Sequence, residues 1–136
     1  MLFSSKIEYG LRVVLWLARR WSTHPVSLSH IARDEHLSKG FLEKIAVCLK
    51  KANILHSSKG AKGGYTLSRS PREITVAEVL NAIDDRASKP YKCPAVVRDV
   101  ECPHESACAV KHVWIHISNT LASSMKNTTL ADIVWR

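Results

Sequence analysis

Three of the chain's four cysteines fall in one stretch, KCPAVVRDVECPHESACAVKH, at Cys93, Cys102 and Cys108. The spacing is C-x8-C-x5-C, with His104 and His112 close by. Thiolates are soft, anionic ligands that suit zinc and iron–sulfur clusters, and clustered thiols can also oxidise directly. Three thiols leave one unpaired in any disulfide scheme, and a structural disulfide is rare in a reducing compartment. The spacing lacks the tight C-x2-C knuckles common in structural zinc sites. A metal site, a thiol switch and an ordinary loop therefore all stay open on spacing alone. The fourth thiol, Cys48, lies with Phe41, Leu42, Ile45, Leu49 and Ala52 at helical spacing and reads as a small core residue.

The rest of the chain sets the context for those sulfurs. At 136 residues and 46% hydrophobic, it can fold as one domain, or as a small domain with an appended element. The opening MLFSSKIEYG is too polar for a signal peptide, and the apolar run Val13 to Ala18 is too short to cross a bilayer. A soluble cytoplasmic protein is expected, without membrane contact. The net charge of +8 is unevenly spread. Residues 1–72 hold thirteen Lys/Arg against four Asp/Glu, whereas residues 73–136 hold seven against eight. That asymmetry suggests a basic half for a polyanion, joined to a near-neutral half with another task.

The elements follow from periodicity and capping. SSKIEYGLRVVLWLARRW places Ile7, Leu11, Val14, Ala18 and Trp21 on one helical face, with Ser4 or Ser5 as N-cap. SLSHIARDEHL reads as a short helix with Leu28, Ile31 and Ala32 inward. SKGFLEKIAVCLKKAN reads as a longer one, capped by Ser38 and ending near Asn53. The strand-like runs Ile54 to Ser57 and Tyr65 to Leu67 flank the glycine-rich KGAKGG, a hairpin pattern. TVAEVLNAI opens with a capping box, Thr75 and Glu78, and turns Val76, Val79, Leu80 and Ile83 inward. Residues Asp84 to Glu105 show no usable periodicity. A long helix then carries a stripe of Val110, Trp114, Ile117, Leu121 and Met125, which needs burial on its own domain or on a second copy. A short helix capped by Thr129 and Asp132 ends the chain.

Helix, short helix, longer helix and hairpin is the order of a winged helix-turn-helix, a mainly α fold with a small β-hairpin. Its longer helix lies in the major groove of DNA, with the helix start towards the bases. Ser38, Lys39, Glu43 and Lys44 occupy that start. The cations and the hydroxyl suit phosphates or guanine. Glu43 either accepts from cytosine N4 or pairs with Lys39, four positions earlier. Lys59 and Lys62 on the hairpin suit a wing along the minor groove. The chain shows neither a nucleophile-elbow pattern nor a phosphate-binding glycine loop, so an enzyme is not expected.

Four segments, KIEYGLRVVLWLA, SSKGAKGGYTLSRSPREITVAEVLNAID, CPHESACAVKHVW and NTTLADIV, resemble the bacterial winged-helix iron–sulfur regulators that include IscR, NsrR and RirA. The resemblance runs from about Phe3 to Val134. It implies a homodimeric transcription regulator, a repressor by preference, with a long C-terminal dimerisation helix and a palindromic double-stranded operator. It further implies an iron–sulfur cluster, two-iron or four-iron, held by Cys93, Cys102 and Cys108. IscR-like members complete the set with a histidine three residues after the third cysteine, where this chain has Lys111, with His112 one later. NsrR-like members use an acidic residue on the partner's first helix, and Glu8 is the matching position, preferred here over His112 and His104. The implied division is 1–84 for DNA reading, 85–107 for the cluster loop and 108–136 for dimerisation. The alternative is a cluster-free regulator using the cysteines as a zinc site or a direct thiol switch.

Overall fold

The computed structural model describes residues 4–21, 24–87, 104 and 107–136. Its elements run α1 (Ser5–Arg19), α2 (Leu28–Asp34), α3 (Lys39–Lys51), β1 (Leu55–Ser58), β2 (Gly64–Leu67), α4 (Val76–Ile83), α5 (Ala109–Asn127) and α6 (Leu130–Val134). This is the mainly helical order, with one antiparallel hairpin, that the periodicity predicts.

α1 is the central element. The Ser4 side chain accepts from the Ile7 N–H and starts the helix. Its enclosed side comprises Ile7, Gly10, Val13, Val14, Trp16, Leu17 and Ala18, packed on α3, α4, α6 and β2. At Gly10 a Cβ would overlap the end of Ile83 on α4 and press on Ile45 of α3, so the three helices converge where α1 has no side chain. Two expected contacts differ. α1 ends at Arg19, so Trp21 leaves the helical face and stays 43% exposed, and Leu11 is only half-buried.

α2 and α3 make the helix-turn-helix. Trp16 holds α2 against α1 by donating its indole N–H to Asp34 (3.2 Å) and meeting the His30 ring edge-on. Tyr9 packs edge-on against Phe41 at the start of α3. Each helix ends in the same way. His36 adopts φ 54° and Asn53 φ 57°, the left-handed region. After α2 the Leu37 N–H donates to Ala32 O and His36 N–H to Arg33 O. After α3 the Ile54 N–H donates to Leu49 O and Asn53 N–H to Lys50 O. Both are Schellman turns, which satisfy the last helical carbonyls and turn a hydrophobic residue, Leu37 or Ile54, back onto the core. α3 buries Leu42, Ile45, Ala46 and Leu49. Full burial of each large side chain contributes about 1.5–3 kcal/mol. Cys48 is therefore half-buried at the margin of this face rather than within the core, and Ala52 is exposed.

β1 is displaced by one residue from its expected limits, and β2 starts one residue earlier, at Gly64, with its expected end at Leu67. They pair in the register Leu55↔Leu67, His56↔Thr66, Ser57↔Tyr65 and Ser58↔Gly64. Tyr65 and Val26 exchange backbone hydrogen bonds at 2.8 and 3.0 Å, so a single bridge ties the segment before α2 to the wing. Gly64 permits this approach, because a Cβ there would collide with the Val26 backbone.

α4 carries the expected capping box, with Ala77 rather than Val76 in the enclosed position at its start. α6 docks through backbone bonds from Val76 N–H to Thr128 O and from Leu130 N–H to Ile74 O, both 2.9 Å. Among the described residues, α5 meets the core through Leu121 and Met125 near its C-terminal end. Val110, Val113, Trp114, Ile115 and Ile117 are 38–59% exposed.

Two stability predictions follow from the local geometry. His36→Gly should relieve the left-handed strain and raise stability by up to about 1 kcal/mol, read as a higher denaturant midpoint with unchanged slope. Partial burial pushes the Glu78 carboxyl up. The Thr75 N–H, the Arg69 guanidinium and the Thr75 hydroxyl together outweigh it and hold the group below its ordinary value. A depressed carboxyl stabilises the fold above its unfolded value and loses that contribution as pH falls through the folded one. Glu78→Gln should thus cost about 1 kcal/mol at neutral pH, in the range of a lost cap. The gap to the parent chain should close below about pH 4. Denaturation curves across that range check both points.

Candidate nucleic-acid interface and cysteine segment

With Leu42, Ile45, Ala46 and Leu49 turned inward, α3 necessarily presents Lys39, Glu43 and Lys44 to solvent. Ser38 occupies the N-cap position, yet its side chain makes no capping hydrogen bond, which leaves the hydroxyl to other acceptors. Lys39 Nζ lies 3.9 Å from Glu43 Oε1, with both side chains more than half exposed. This is the i, i+4 pair weighed from the sequence, and at that exposure it contributes little. DNA could exchange it for phosphate and base contacts at small cost.

The wing tip carries Lys59 and Lys62, both exposed, in a turn closed by Gly63 N–H on Gly60 O at 2.9 Å. The strands are tied to α3 through Ile54 and to the α1–α2 connection through Val26, so the tip projects from a braced base. α3 and the wing thus offer two basic, solvent-facing features on one scaffold.

The cysteine segment is covered in part. Cys93 and Cys102 lie outside the described residues. Cys108 is half-buried at the N-cap of α5, and its side chain makes no capping hydrogen bond. His104 and His112 are exposed. Among the described residues no group of three or more His, Cys, Asp or Glu side chains is gathered as a metal set. Glu8 is exposed on α1 and accepts from Arg12 at 2.9 Å. The same guanidinium reaches Glu35, the C-cap residue of α2, at 3.3 Å. Hydrogen bonds to Glu8 and then Glu35 raise Arg12 above its ordinary value. Arg12 was not among the residues expected to matter. Its i, i+4 relation to Glu8 is legible in the sequence, but its reach to Glu35 is tertiary.

The model of the Rrf2 family, described as an iron-dependent transcriptional regulator, matches residues 3–136. The chain belongs to the Rrf2 family. Among its relatives, the HTH-type transcriptional regulator CymR of Bacillus subtilis is 32% identical over 98% of this chain and 89% of that protein. Protein rrf2 of Nitratidesulfovibrio vulgaris is 30% identical over 98% and 87%. Among solved structures, that of CymR, the global cysteine regulator of B. subtilis, superposes with a TM-score of 0.81 at 30% identity, over 97% of this chain and 95% of that one. T. potens IscR superposes with a TM-score of 0.76 at 30% identity, over 97% and 85%. The chain is therefore a winged-helix, DNA-binding transcriptional regulator and not an enzyme, and the resemblance drawn from its motifs holds. No helix among the described residues is long and apolar enough to cross a membrane.

A wing lysine that meets only phosphate carries no base information. Lys59→Ala should weaken binding about equally on all duplexes and reduce the slope of log K against log salt by about one. Titrations at several salt concentrations on two unrelated duplexes test this, and a loss confined to one sequence would refute it.

Proposed function

We propose that this Rrf2 regulator acts as a homodimer, a repressor by preference, whose affinity for a palindromic operator is controlled by an iron–sulfur cluster. Residues 1–84 read DNA through Ser38, Lys39, Glu43 and Lys44 on α3 and Lys59 and Lys62 on the wing. Residues 85–107, with Cys108, carry the ligands, and 108–136 pair the subunits. The observation that carries the proposal is Cys108, a thiol at the N-terminus of a long helix whose apolar side chains Val110, Val113 and Ile117 lie exposed. Exposed apolar side chains repeating along one helix are what a second copy would bury. The family's iron-dependent description supports metal over a bare thiol pair. With two recognition helices about 34 Å apart, one helical turn of DNA, a symmetric dimer matches a palindrome.

Cys93, Cys102 and Cys108 would hold the cluster with Glu8 of the partner subunit in preference to His112 or His104. Three soft thiolates supply stable iron coordination, and a carboxylate in fourth place makes the assembly more labile than a fourth thiolate would. On this chain, Glu8 shares Arg12 with Glu35 at the end of α2. Drawing Glu8 towards another subunit therefore removes one of the two carboxylates that position Arg12. Loss of the tie frees the cysteine segment from the neighbouring α1 and alters the relative placement of the two reading heads. That gives two sites and two states, as allostery requires.

Purification without oxygen, followed by visible absorption and iron and sulfide assays, tests this directly. A coloured protein with thiolate-to-iron bands and matched iron and sulfide is expected, and Cys102→Ala should lose both colour and signal-dependent DNA binding. A colourless protein carrying zinc, or no metal after reconstitution, would overturn the cluster and leave the zinc site or thiol switch. A Cys102→Ala variant that keeps the cluster and its sensitivity would overturn the ligand set.

A further inference from the structure

Two residues on α3 have no explanation in the packing of the chain. Gly40 is the second residue of the helix, and a Cβ built there meets nothing within 4 Å. Its φ is not positive, so the backbone does not require glycine either. Glycine inside a helix is worse than alanine by up to about 1 kcal/mol, and the fold obtains nothing in return. Val47, between the buried Ala46 and the half-buried Cys48, is 50% exposed. A branched apolar side chain held in water on an otherwise polar helix face is likewise unexplained from within.

The two belong to one stripe. Gly40, Glu43, Lys44 and Val47 stand at i, i+3, i+4 and i+7, opposite the buried Leu42, Ile45 and Leu49. A homeodomain recognition helix reads base edges with this spacing. The stripe offers a bare backbone, an acceptor, a cation and an apolar side chain in order along about two helical turns. On the floor of the major groove the apolar feature available to such a side chain is the C5-methyl of thymine. The basic balance of residues 1–72, thirteen cations against four acids, points to duplex DNA as the occupant rather than a protein.

We propose that Val47 is a specificity-determining residue that packs on a thymine methyl in each half-site, and that Gly40 lets the start of α3 approach the sugar–phosphate wall more closely than a side chain would permit. This rests on the DNA-reading role of α3 proposed above, and adds two residues and a base to it.

The test begins by selecting tight duplexes from a randomised library with the full chain, purified without oxygen and used both with and without its metal. Each thymine of the selected site is then replaced singly by deoxyuridine, which removes only the methyl. In wild type, one symmetry-related position should cost about fourfold in affinity, the value of one buried methyl-sized group. At that position alone, Val47→Ala should be indifferent to the replacement, with an unchanged melting temperature. Gly40→Ala should keep or raise the melting temperature while weakening the selected duplex by on the order of tenfold. If uracil is neutral everywhere in wild type, or if Val47→Ala remains as sensitive to it, Val47 has no such role. Undiminished binding by Gly40→Ala would overturn the role of Gly40. Failure of any duplex to enrich would instead remove the reading role of α3 itself, and this inference with it.

Discussion

Three helices meet over a position without a side chain. Ile83 of α4 and Ile45 of α3 both close on Gly10, so the spacing of α1, α3 and α4 is set by the smallest residue in the core. Core packing leaves few voids and tolerates small overlaps poorly, so a side chain at this position would push the helices apart. The reading face of α3 is simply what remains outside once Leu42, Ile45, Ala46 and Leu49 are committed. Glu8 and Arg12 stand two residues to either side of the same contact, on the solvent side of α1. The carboxylate proposed for the cluster and the helix proposed to read DNA thus flank one packing contact.

The charge asymmetry has a structural counterpart. Seven of the thirteen cations of residues 1–72 lie on α2, α3 and the wing, four belong to α1 and its C-cap, and two follow the wing. The Lys39–Glu43 pair is exposed, and exposed pairs are worth little, so a polyanion can displace it. The stronger polar contacts lie elsewhere. Glu78 with Thr75 and Arg69, and Asp132 with Thr129, fasten the elements behind the wing. Surface cations are left for recognition, and carboxylate caps serve the fold.

Much of this arrangement was legible in the sequence because its signals are local. Capping boxes at Thr75 and Thr129, the periodic runs of α1 to α3 and the glycine-bounded hairpin each depend on residues within a few positions of one another. The misreadings share the opposite character. Trp21 continues the α1 stripe on paper, but the chain leaves the helix first. The turn after α2 uses His36 in a conformation usually marked by glycine, so its Schellman geometry had no sequence sign. The Val26–Tyr65 pairing joins segments that periodicity treats separately. Cys48 and Ala52 reveal a further limit, since counting apolar positions cannot separate the margin of a core from its interior. The donor set was legible only as spacing and resemblance; Cys93 and Cys102 lie outside the described residues, and Cys108 and Glu8 are placed on separate elements.

The mounting of α5 has a mechanical consequence. At 1.5 Å per residue, the thirteen steps from Cys108 to Leu121 span about 20 Å. The helix is clamped at Leu121 and Met125 and stands away from the core beyond them. It is a lever with its fulcrum on α4. A tilt of about 10° at that fulcrum would sweep Cys108 through about 3.5 Å, by the 1.5 Å rise that sets the arm. Displacements too small to disturb packing at one end thus become shifts of several ångströms at the other, and the length of the arm sets the gain.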